Sequence, residues 1–247
     1  MINFLTIQLL KFFDYFYKIK ILNFIKRKNL SNLETFFDVG AHEGESIDFF
    51  LSNLKIKKIY SFEASPVNYT KLKKKIPYFE NKFKKTKIII ENIALGSEEK
   101  KIKFKQFNES SSSTFSDINQ ESSYFKKKYK FLNKKIEDEF FYEIEKKIVP
   151  LISYLDENKI DHVDFLKIDT EGYEFEVLNG LKEKIKDIRI IFFEHHYDNM
   201  IKKNYKFSDI NKLLTSNNFK KIYKSKMPFR KTFEYIYIND SFNKTLY

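Results

Sequence analysis

The sequence predicts an α/β fold built on a mainly parallel, Rossmann-like sheet, and three observations lead to this prediction. Short apolar segments that suit buried strands alternate with segments of helical periodicity. The first apolar segment, residues 35–39, ends in a turn with two glycines, as a strand that feeds a helix often does. The last two strand-like segments, residues 220–224 and 233–238, have no helix between them. We therefore expect helices on both faces of the sheet and an antiparallel strand near the C-terminus.

The individual elements follow from apolar patterning and from residues that start or stop a helix. Pro66 suits the first turn of a helix, because proline lacks the backbone N–H that has no partner there. Residues 101–107 alternate between apolar and polar side chains like one strand of a hairpin. The predicted strands are residues 35–39, 58–63, 87–91, 101–107, 163–169, 188–194, 220–224 and 233–238. The predicted helices are residues 46–54, 66–75, 173–184 and 208–216.

Length and composition limit the class of protein. A chain of 247 residues suits one α/β domain with an appendage, and 42% hydrophobic residues supply a packed core, which excludes a disordered or fibrous chain. The absence of cysteine excludes disulfides and thiolate nucleophiles and agrees with a reducing compartment, so we expect a cytoplasmic protein. The net charge of +12 suits nucleic acid, anionic lipid or a phosphorylated substrate. AT-rich coding produces the same abundance of lysine, and we favour that explanation.

Two segments stand apart from the α/β pattern. Residues 1–30 predict an N-terminal amphipathic helical appendage, and residues 31–247 predict the α/β domain, with an insertion at about residues 108–147. The apolar stripe of the appendage docks on the domain or lies at a membrane surface, and we prefer docking. Lys11 and Asp14 leave its apolar run too short to span a membrane. The insertion opens with a serine run, residues 110–113, that indicates a linker or a hydroxyl-rich loop, and its remainder suits a solvated helix or a lid.

The turn of residues 38–44 contains the first candidate binding residues. Gly40 and Gly44 let the backbone approach a bound cofactor closely, because neither has a side chain in the way. His42 stands where a dinucleotide fingerprint has its middle glycine, so the turn is less suited to a pyrophosphate. Asp38, an acid at the end of the first strand, suits a cofactor with a cationic amino group and a sulfonium. The alternative is an ordinary tight turn between a strand and a helix.

Acidic and amide side chains follow the next two predicted strands. Glu63 ends the second strand, about 20 residues after the turn, where a carboxylate can accept hydrogen bonds from both hydroxyls of a ribose. Asn92 and Ala94 follow the third strand, where an amide can bind the edge of an adenine. The alternative role for Glu63 is to cap the helix that begins near Pro66.

The ends of the fourth and fifth predicted strands supply the candidate catalytic residues. Asp169 follows a buried strand and should project at its carboxyl end. Glu194 and the adjacent His195 and His196 end the next strand, and histidine is a natural proton acceptor near neutral pH. Glu171 can instead cap the following helix, and the histidines can instead be surface residues. Such a cluster can also bind a hard divalent metal, but no ligand spacing requires one, so we predict no metal.

Four blocks of this sequence, in this order, resemble the FkbM family of methyltransferases. They are residues 37–44, 62–66, 92–96 and 165–174, and the resemblance extends over about residues 34–240. It implies a class I methyltransferase fold with a mainly parallel, seven-stranded sheet, and S-adenosylmethionine as the methyl donor. It also implies O-methylation of a hydroxyl on a sugar, glycan or related metabolite, with surface polysaccharide biosynthesis as the first expectation. The insertion and the N-terminal helix depart from the family pattern and leave the acceptor open.

This resemblance assigns roles to the strand-end residues. The chain must align an acceptor oxygen with the methyl group, and a base must take the hydroxyl proton. We expect Asp169 or His195 to be that base, with Glu194 orienting it or acting in its place. The expected cofactor contacts are Asp38, Gly40, His42, Gly44, Glu63, Asn92, Ala94 and Asp169.

The expected partners and the rival functions complete the prediction. We expect a small-molecule or glycan acceptor, no nucleic acid, and no membrane contact other than a peripheral one of the N-terminal helix at the inner face. A nicotinamide-dependent oxidoreductase is one alternative, because it shares the sheet and the ribose acid, although His42 speaks against it. A non-catalytic basic protein that binds nucleic acid or a membrane surface is the second.

Overall fold

Helices and strands alternate through most of the chain. The structure is a computed structural model that describes residues 18–108, 113–131, 140–228 and 230–245. The helices are α1 (residues 18–27), α2 (Glu45–Leu51), α3 (Pro66–Lys82), α4 (Ser123–Phe131), α5 (Leu151–Glu157), α6 (Glu174–Asn179) and α7 (Phe207–Ser216), with 3-10 turns at Lys182–Asp187 and Asp240–Thr245. The strands are β1 (Asn32–Val39), β2 (Lys55–Phe62), β3 (Lys87–Glu91), β4 (Ala94–Gly96), β5 (Lys100–Phe107), β6 (Asp117–Ile118), β7 (Phe141–Pro150), β8 (Val163–Ile168), β9 (Ile188–His196), β10 (Ile201–Lys202), β11 (Phe219–Lys226) and β12 (Thr232–Asn239).

Seven strands form the main sheet, in the order β11-β12-β9-β8-β1-β2-β3. β1 pairs in parallel with β2 and β8, and parallel pairs also join β2 to β3 and β8 to β9. β12 lies antiparallel between β9 and β11. The predicted fold is therefore confirmed, including the antiparallel strand near the C-terminus. Because parallel strands point the same way, the carboxyl ends of β1, β2, β3, β8 and β9 meet at one edge.

Both faces of the main sheet are buried, which explains why its central strands are nearly continuous apolar runs. Phe36 and Phe37, neighbours in β1, are each 0% exposed and point to opposite faces of the sheet. Phe37 packs in a core with residues of α5, α6 and α7, whereas Phe36 packs with residues of α1, α2 and α3. Helices thus cover both faces, as the sequence predicts.

The described part of the N-terminal appendage, α1, is packed against the domain. Ile21 and Ile25 are 2% and 1% exposed and belong to the same core as Phe36. The helix ends where the N–H of Leu30 donates to the carbonyl of Ile25 at 3.1 Å. Most of the predicted apolar stripe lies in residues 1–17, outside the described residues. Within the described part of the chain, no helix has the length and apolarity needed to cross a membrane.

A three-stranded sheet, in the order β4-β7-β5, follows the end of β3. β7 begins inside the predicted insertion and continues past residue 147, the predicted end of that insertion. Exposed ion pairs join Lys101 to Glu145 and Lys103 to Glu143 across the antiparallel β5 and β7. In the sequence, these charged residues have the spacing of a solvated helix, so the pattern does not predict β7. The other described parts of the insertion are β6, paired with β10, and α4; the serines at 110–112 lie outside the described residues.

Replacing Phe165 with alanine should cost about 3–5 kcal/mol of the free energy of unfolding, as deletion of a large buried ring does. Phe165 is 0% exposed and stacks on Phe36 with the ring centroids 4.9 Å apart. Tyr78, which is 58% exposed, provides the control, because Tyr78→Ala should change stability by about 0.5 kcal/mol or less. Urea unfolding followed by circular dichroism measures both values. Similar losses for the two variants would contradict the assignment of Phe165 to the core.

Candidate active site

The turn after β1 is held against the ends of β2 and β8. The N–H groups of Gly40 and Ala41 donate to the carbonyl of Phe62, at 2.9 and 3.0 Å. Gly40 has a φ of 82°, and a Cβ on it would lie 1.8 Å from the carbonyl oxygen of Asp169. Only glycine fits this position, because both the backbone angle and the neighbouring backbone exclude a side chain. The turn is therefore packed closely against the loop after β8, and His42 within it has a φ of 49°.

Glu63 lies beside this turn and is 6% exposed. Its Oε2 accepts from the N–H of His42 at 2.7 Å, and its Oε1 accepts from the N–H of Ser65 at 2.8 Å. Burial raises the pKa of Glu63, and these two N–H groups oppose that rise. The side chain of Asn68 also hydrogen-bonds to this carboxylate, and a carboxylate offers about four lone-pair positions, so Glu63 keeps room for a further donor beside the turn.

Asn92 and Ala94 lie where β3 gives way to β4. The side-chain N–H2 group of Asn92 donates to the carbonyl of Glu63 at 2.7 Å, so this amide fixes the backbone at Glu63. Its Oδ1 accepts from Lys146 Nζ at 3.2 Å. Ala94 is 2% exposed and begins β4. Lys146 is not among the site residues predicted from the sequence, because it comes from β7, a strand that the sequence pattern does not predict.

A buried ion pair joins the carboxyl ends of β1 and β8. Lys167 Nζ lies 2.9 Å from Asp38 Oδ1 and 3.6 Å from Asp169 Oδ2, and Asp38 is 0% exposed. Burial lowers the pKa of Lys167, but the carboxylates of Asp38 and Asp169 outweigh it and hold the pKa above its usual value. Asp38 Oδ2 is buried with no hydrogen-bond partner in the described structure. Lys167 is not among the site residues predicted from the sequence, although a lysine inside a predicted buried strand is a signal that could have identified it.

The loop after β8 presents Asp169 at the edge of the sheet. The Asp169 N–H donates to the carbonyl of Val39 at 2.9 Å, and its side chain is 30% exposed. Glu174, which is 0% exposed, accepts from the N–H groups of Thr170 and Gly172 at 3.2 and 2.9 Å. Glu174 therefore stabilises the loop, whereas the carboxylates of Asp169 and Glu171 stay partly exposed.

The adjacent histidines at the end of β9 point to opposite faces, as successive strand residues do. His195 is 3% exposed, and its ring packs against Tyr197 and Phe207, with centroids 4.8 and 5.7 Å away. Burial lowers the pKa of His195 to about 3, so the ring is neutral. The structure does not bring His195 together with Asp169, contrary to the expectation that His195 can act as the base there. The predicted strand ends at residue 194, and its continuation through His196 decides the direction of both rings.

His196 is the imidazole on the side of the carboxylates. Its Nε2 lies 3.5 Å from Glu171 Oε2, its Nδ1 lies 3.6 Å from Asp198 Oδ2, and Thr232 Oγ1 is 3.1 Å from the same Nδ1. Burial lowers the pKa of His196, but the charges of Glu171, Asp198 and Glu194 outweigh burial and raise it to about 9. At neutral pH the ring is a cation that donates hydrogen bonds, so it is not a ready proton acceptor.

Glu194 occupies the same face of β9 as His196. It is the direct cross-strand partner of Glu234 in β12, and the register of β8 with β9 puts Asp169 beside it. Burial raises the pKa of Glu194 well above its usual value, and the negative charges of Asp169 and Glu234 add to the rise. Glu194 can therefore hold or release a proton at higher pH than an ordinary carboxyl group.

These residues fit the predicted cofactor. Glu63 has room for a further hydrogen-bond donor beside the turn, and Asp38 Oδ2 has no hydrogen-bond partner among the described residues. Among the residues that the structure describes, no group of three or more histidine and acidic side chains is arranged to hold a metal ion. The expectation that no metal takes part stays a prediction.

Comparison with known proteins identifies the family. The sequence profile described as the Methyltransferase FkbM domain matches residues 38–221, which is most of the chain. This chain belongs to the FkbM family of methyltransferases. The match includes Asp38, Glu63, Asp169 and Glu194, and it confirms the family, the fold and the cofactor predicted above. No curated protein matches the sequence.

Solved structures of methyltransferases resemble this chain at low sequence identity, and one of them has a TM-score above 0.5. The FkbM methyltransferase of Methylobacillus flagellatus KT has a TM-score of 0.55 and 13% identity, over 84% of this chain and 44% of that one. This chain thus matches less than half of the length of that relative. The magnesium protoporphyrin IX methyltransferase of Synechocystis PCC 6803, solved with bound S-adenosylmethionine, has a TM-score of 0.47 and 10% identity, over 94% of this chain and 80% of that one. M. capricolum TrmK, solved with S-adenosylhomocysteine, has a TM-score of 0.44 and 15% identity, over 88% and 66%.

The two adjacent histidines should titrate far apart. NMR of the imidazole nuclei should give a pKa of about 9 for His196 and about 3 for His195. Because the pKa of His196 exceeds the value of about 6.5 in the unfolded chain, its protonation adds roughly 3 kcal/mol of stability. That contribution is complete below about pH 6.5 and is lost as the pH rises through about 9. His196→Gln should remove this fall in stability, and overlapping titrations of the two rings would contradict the structure.

Proposed function

We propose that this chain is an S-adenosylmethionine-dependent methyltransferase that methylates a hydroxyl oxygen of a sugar, glycan or related metabolite. The observation that carries the proposal is the placement of Asp169 and Glu194, two carboxyl groups able to take a proton, at the same strand edge as the glycine turn and Glu63. S-adenosylmethionine, when bound, supplies a methyl group already activated by its sulfonium. The task left to the protein is to orient the acceptor, exclude water and remove one proton.

The residues proposed to hold the cofactor come from four strand ends. Glu63 accepts hydrogen bonds from the ribose hydroxyls, and Gly40 and Gly44 keep the turn free of side chains. Asn92 orients the backbone at Glu63 and lies beside the position expected for adenine. The full proposed set is Asp38, Gly40, His42, Gly44, Glu63, Asn92, Ala94 and Asp169.

Asp169 is the proposed base, with Glu194 able to take the proton in its place. Asp169 is accessible at the strand edge, and Glu194 has the raised pKa that suits a general base near neutral pH. His195 is not proposed as the base, because its ring lies among aromatic side chains on the face of the sheet opposite Glu194. The cationic His196 is suited to orienting Glu171 and to stabilising negative charge on an acceptor oxygen.

The biological setting stays a prediction from the sequence. A role in surface polysaccharide biosynthesis, a cytoplasmic location and a peripheral membrane contact of the N-terminal helix rest on the resemblance and on composition. The same holds for a small-molecule or glycan acceptor and for the absence of a nucleic-acid partner. Family membership favours methyl transfer over a nicotinamide-dependent oxidoreductase and over a non-catalytic basic protein.

Glu63→Ala should lower the affinity for S-adenosylhomocysteine at least about tenfold, because each hydrogen bond to a charged acceptor contributes roughly 1.5–3 kcal/mol. Glu63→Gln preserves the size of the side chain and should also weaken binding. Isothermal titration calorimetry measures the affinity, and Glu98→Ala, which removes an exposed carboxylate, serves as the control. Unchanged affinity in both Glu63 variants would refute the ribose contact. Binding of NAD in place of S-adenosylhomocysteine would favour the oxidoreductase.

Asp169→Asn should lower the turnover number by about 10²–10⁴-fold, because general-base catalysis contributes that much. The rate is that of S-adenosylhomocysteine formation with a panel of nucleotide-activated sugars. His195→Phe is the matched control and should retain turnover, since a phenyl ring fits among Tyr197 and Phe207. Glu194→Gln tests the second carboxyl group. Normal turnover in both Asp169→Asn and Glu194→Gln would show that neither is the base.

A further inference from the structure

The edge of the main sheet opposite the candidate active site has an uneven distribution of charge. In a sheet of parallel strands joined by helices, the strands begin and the helices end at that edge. Three segments meet there in one half of the sheet: residues 26–28 at the end of α1, residues 55–58 at the start of β2, and residues 84–87, which lead into β3. They contain nine exposed basic side chains and no acidic one, and we call them the basic edge.

Hydrogen bonds join the three segments into one surface. Residues 26–28 lead through a turn to Ser31, whose carbonyl accepts from the N–H of Lys55 at 2.9 Å. Thr86 Oγ1 donates to the carbonyl of Ile56 at 2.7 Å, and β3 pairs with β2 directly after this contact. The positive charges of the basic edge therefore lie side by side on the same part of the protein.

Repulsion between like charges is part of the basic edge. Lys58 and Lys87 are direct neighbours in the pairing of β2 with β3, strands that lie about 4.8 Å apart, and like charges in such positions destabilise a sheet. A lysine in an edge strand such as β3 discourages pairing with another sheet, but Lys58 belongs to the interior strand β2. Lys57 pairs with Glu34 at 2.6 Å, and the other basic side chains of the edge have no acidic partner among the described residues.

The other half of the same edge has balanced charges. Residues 156–162 and 182–187, which precede β8 and β9, contain four lysines and five acidic side chains. Lys184 and Asp156 form an ion pair between these two segments at 2.5 Å. An abundance of lysine throughout the chain would supply both halves alike, so it does not explain the difference. The excess of positive charge belongs to the basic edge and favours an anionic partner there.

The side chains around the basic edge indicate the kind of anionic partner. Tyr78, one turn before the end of α3, is 58% exposed, and Lys82 Nζ lies 5.5 Å from the centre of its ring. Tyrosine beside lysines suits the interface of a bilayer, because the ring and the lysine stems contact apolar groups while the charges stay at the headgroups. A single-stranded nucleic acid binds to several stacking rings along a groove, whereas Tyr78 is the largely exposed ring among the described residues near the basic edge.

We propose that the basic edge binds the surface of a bilayer that contains anionic phospholipid. Its lysines act as separate charges on flexible stems, and a fluid lipid surface can bind them without a shaped pocket. This inference goes beyond the proposed methyl transfer and does not depend on it.

This contact determines how the protein is oriented on the bilayer. Because the basic edge and the candidate active site lie at opposite edges of the sheet, the bound protein directs its site toward the aqueous phase. The contact is also distinct from the one expected of the N-terminal helix. Lys18, the first described residue of α1, acts electrostatically on Asp38 at the active-site edge.

Sedimentation of the full chain with lipid vesicles tests the proposal. The chain should sediment with vesicles of phosphatidylcholine that contain about one third phosphatidylglycerol, and not with vesicles of phosphatidylcholine alone. Raising the salt concentration to about 0.5 M should release it. The combined variant Lys58→Gln, Lys85→Gln and Lys87→Gln should bind at least about tenfold more weakly, because each lysine near an anionic surface contributes about a fivefold factor.

A matched variant removes the same charge from the other half of the protein. Lys186→Gln, Lys212→Gln and Lys220→Gln combined neutralise three exposed lysines and should leave vesicle binding unchanged. Thermal unfolding separates weaker binding from loss of structure. The basic-edge variant should melt at the same temperature as the unaltered chain or above it, because Lys58 and Lys87 no longer repel each other.

Four outcomes would overturn the proposal. Three of them are the absence of sedimentation with anionic vesicles, equal binding to neutral vesicles, and equal weakening in the two variants. The fourth is binding of a fluorescent oligouridylate that is tighter than vesicle binding at the same salt concentration and is lost in the basic-edge variant, because the surface would then bind nucleic acid. A fall in the melting temperature of the basic-edge variant would contradict the repulsion on which the argument depends.

Discussion

The contact between the turn after β1 and the end of β8 determines the geometry of the whole site. At this contact Gly40 lies against the carbonyl of Asp169, and the Lys167 ammonium lies between the carboxylates of Asp38 and Asp169. Removing either partner of a buried ion pair leaves an uncompensated charge, which typically costs several kcal/mol. The glycine allows the two strand ends to approach, and the lysine neutralises the acids that meet there. Asp169 can therefore lie close to the turn while its side chain stays accessible.

Strand alternation then decides which side chains share the cleft. Lys167, Glu194, His196 and Glu234 belong to the sheet face that also carries Asp38, whereas His195 points to the aromatic core on the other face. Because neighbouring residues of a strand point to opposite faces, the imidazole of His195 is buried and neutral, whereas that of His196 is a cation beside Glu171. The pKa values of about 3 and about 9 for neighbours in sequence follow from this alternation.

The parts of the site that could be predicted are those that a parallel sheet dictates. Once the strands are recognised, Asp38, Glu63, Asp169 and Glu194 must meet at one edge, because each follows the carboxyl end of a parallel strand. The direction in which the His195 side chain points depends on where β9 ends. The ends of helices and strands are the least certain part of a sequence-based prediction. Lys146 and Asp198 come from segments whose positions depend on tertiary packing, and their charged composition shows no periodicity that marks a site.

The charges of the site favour a neutral acceptor over an anionic one. Several carboxyl groups gather at the edge of the sheet, and Lys167 and His196 lie among them: Asp38, Asp169, Glu171, Glu194 and Glu234. These carboxyl groups favour a cation near the turn, and burial raises the pKa values of Asp38 and Glu194, which limits mutual repulsion. The same groups disfavour an anionic acceptor beside Asp169. A neutral, hydroxyl-bearing acceptor avoids that repulsion.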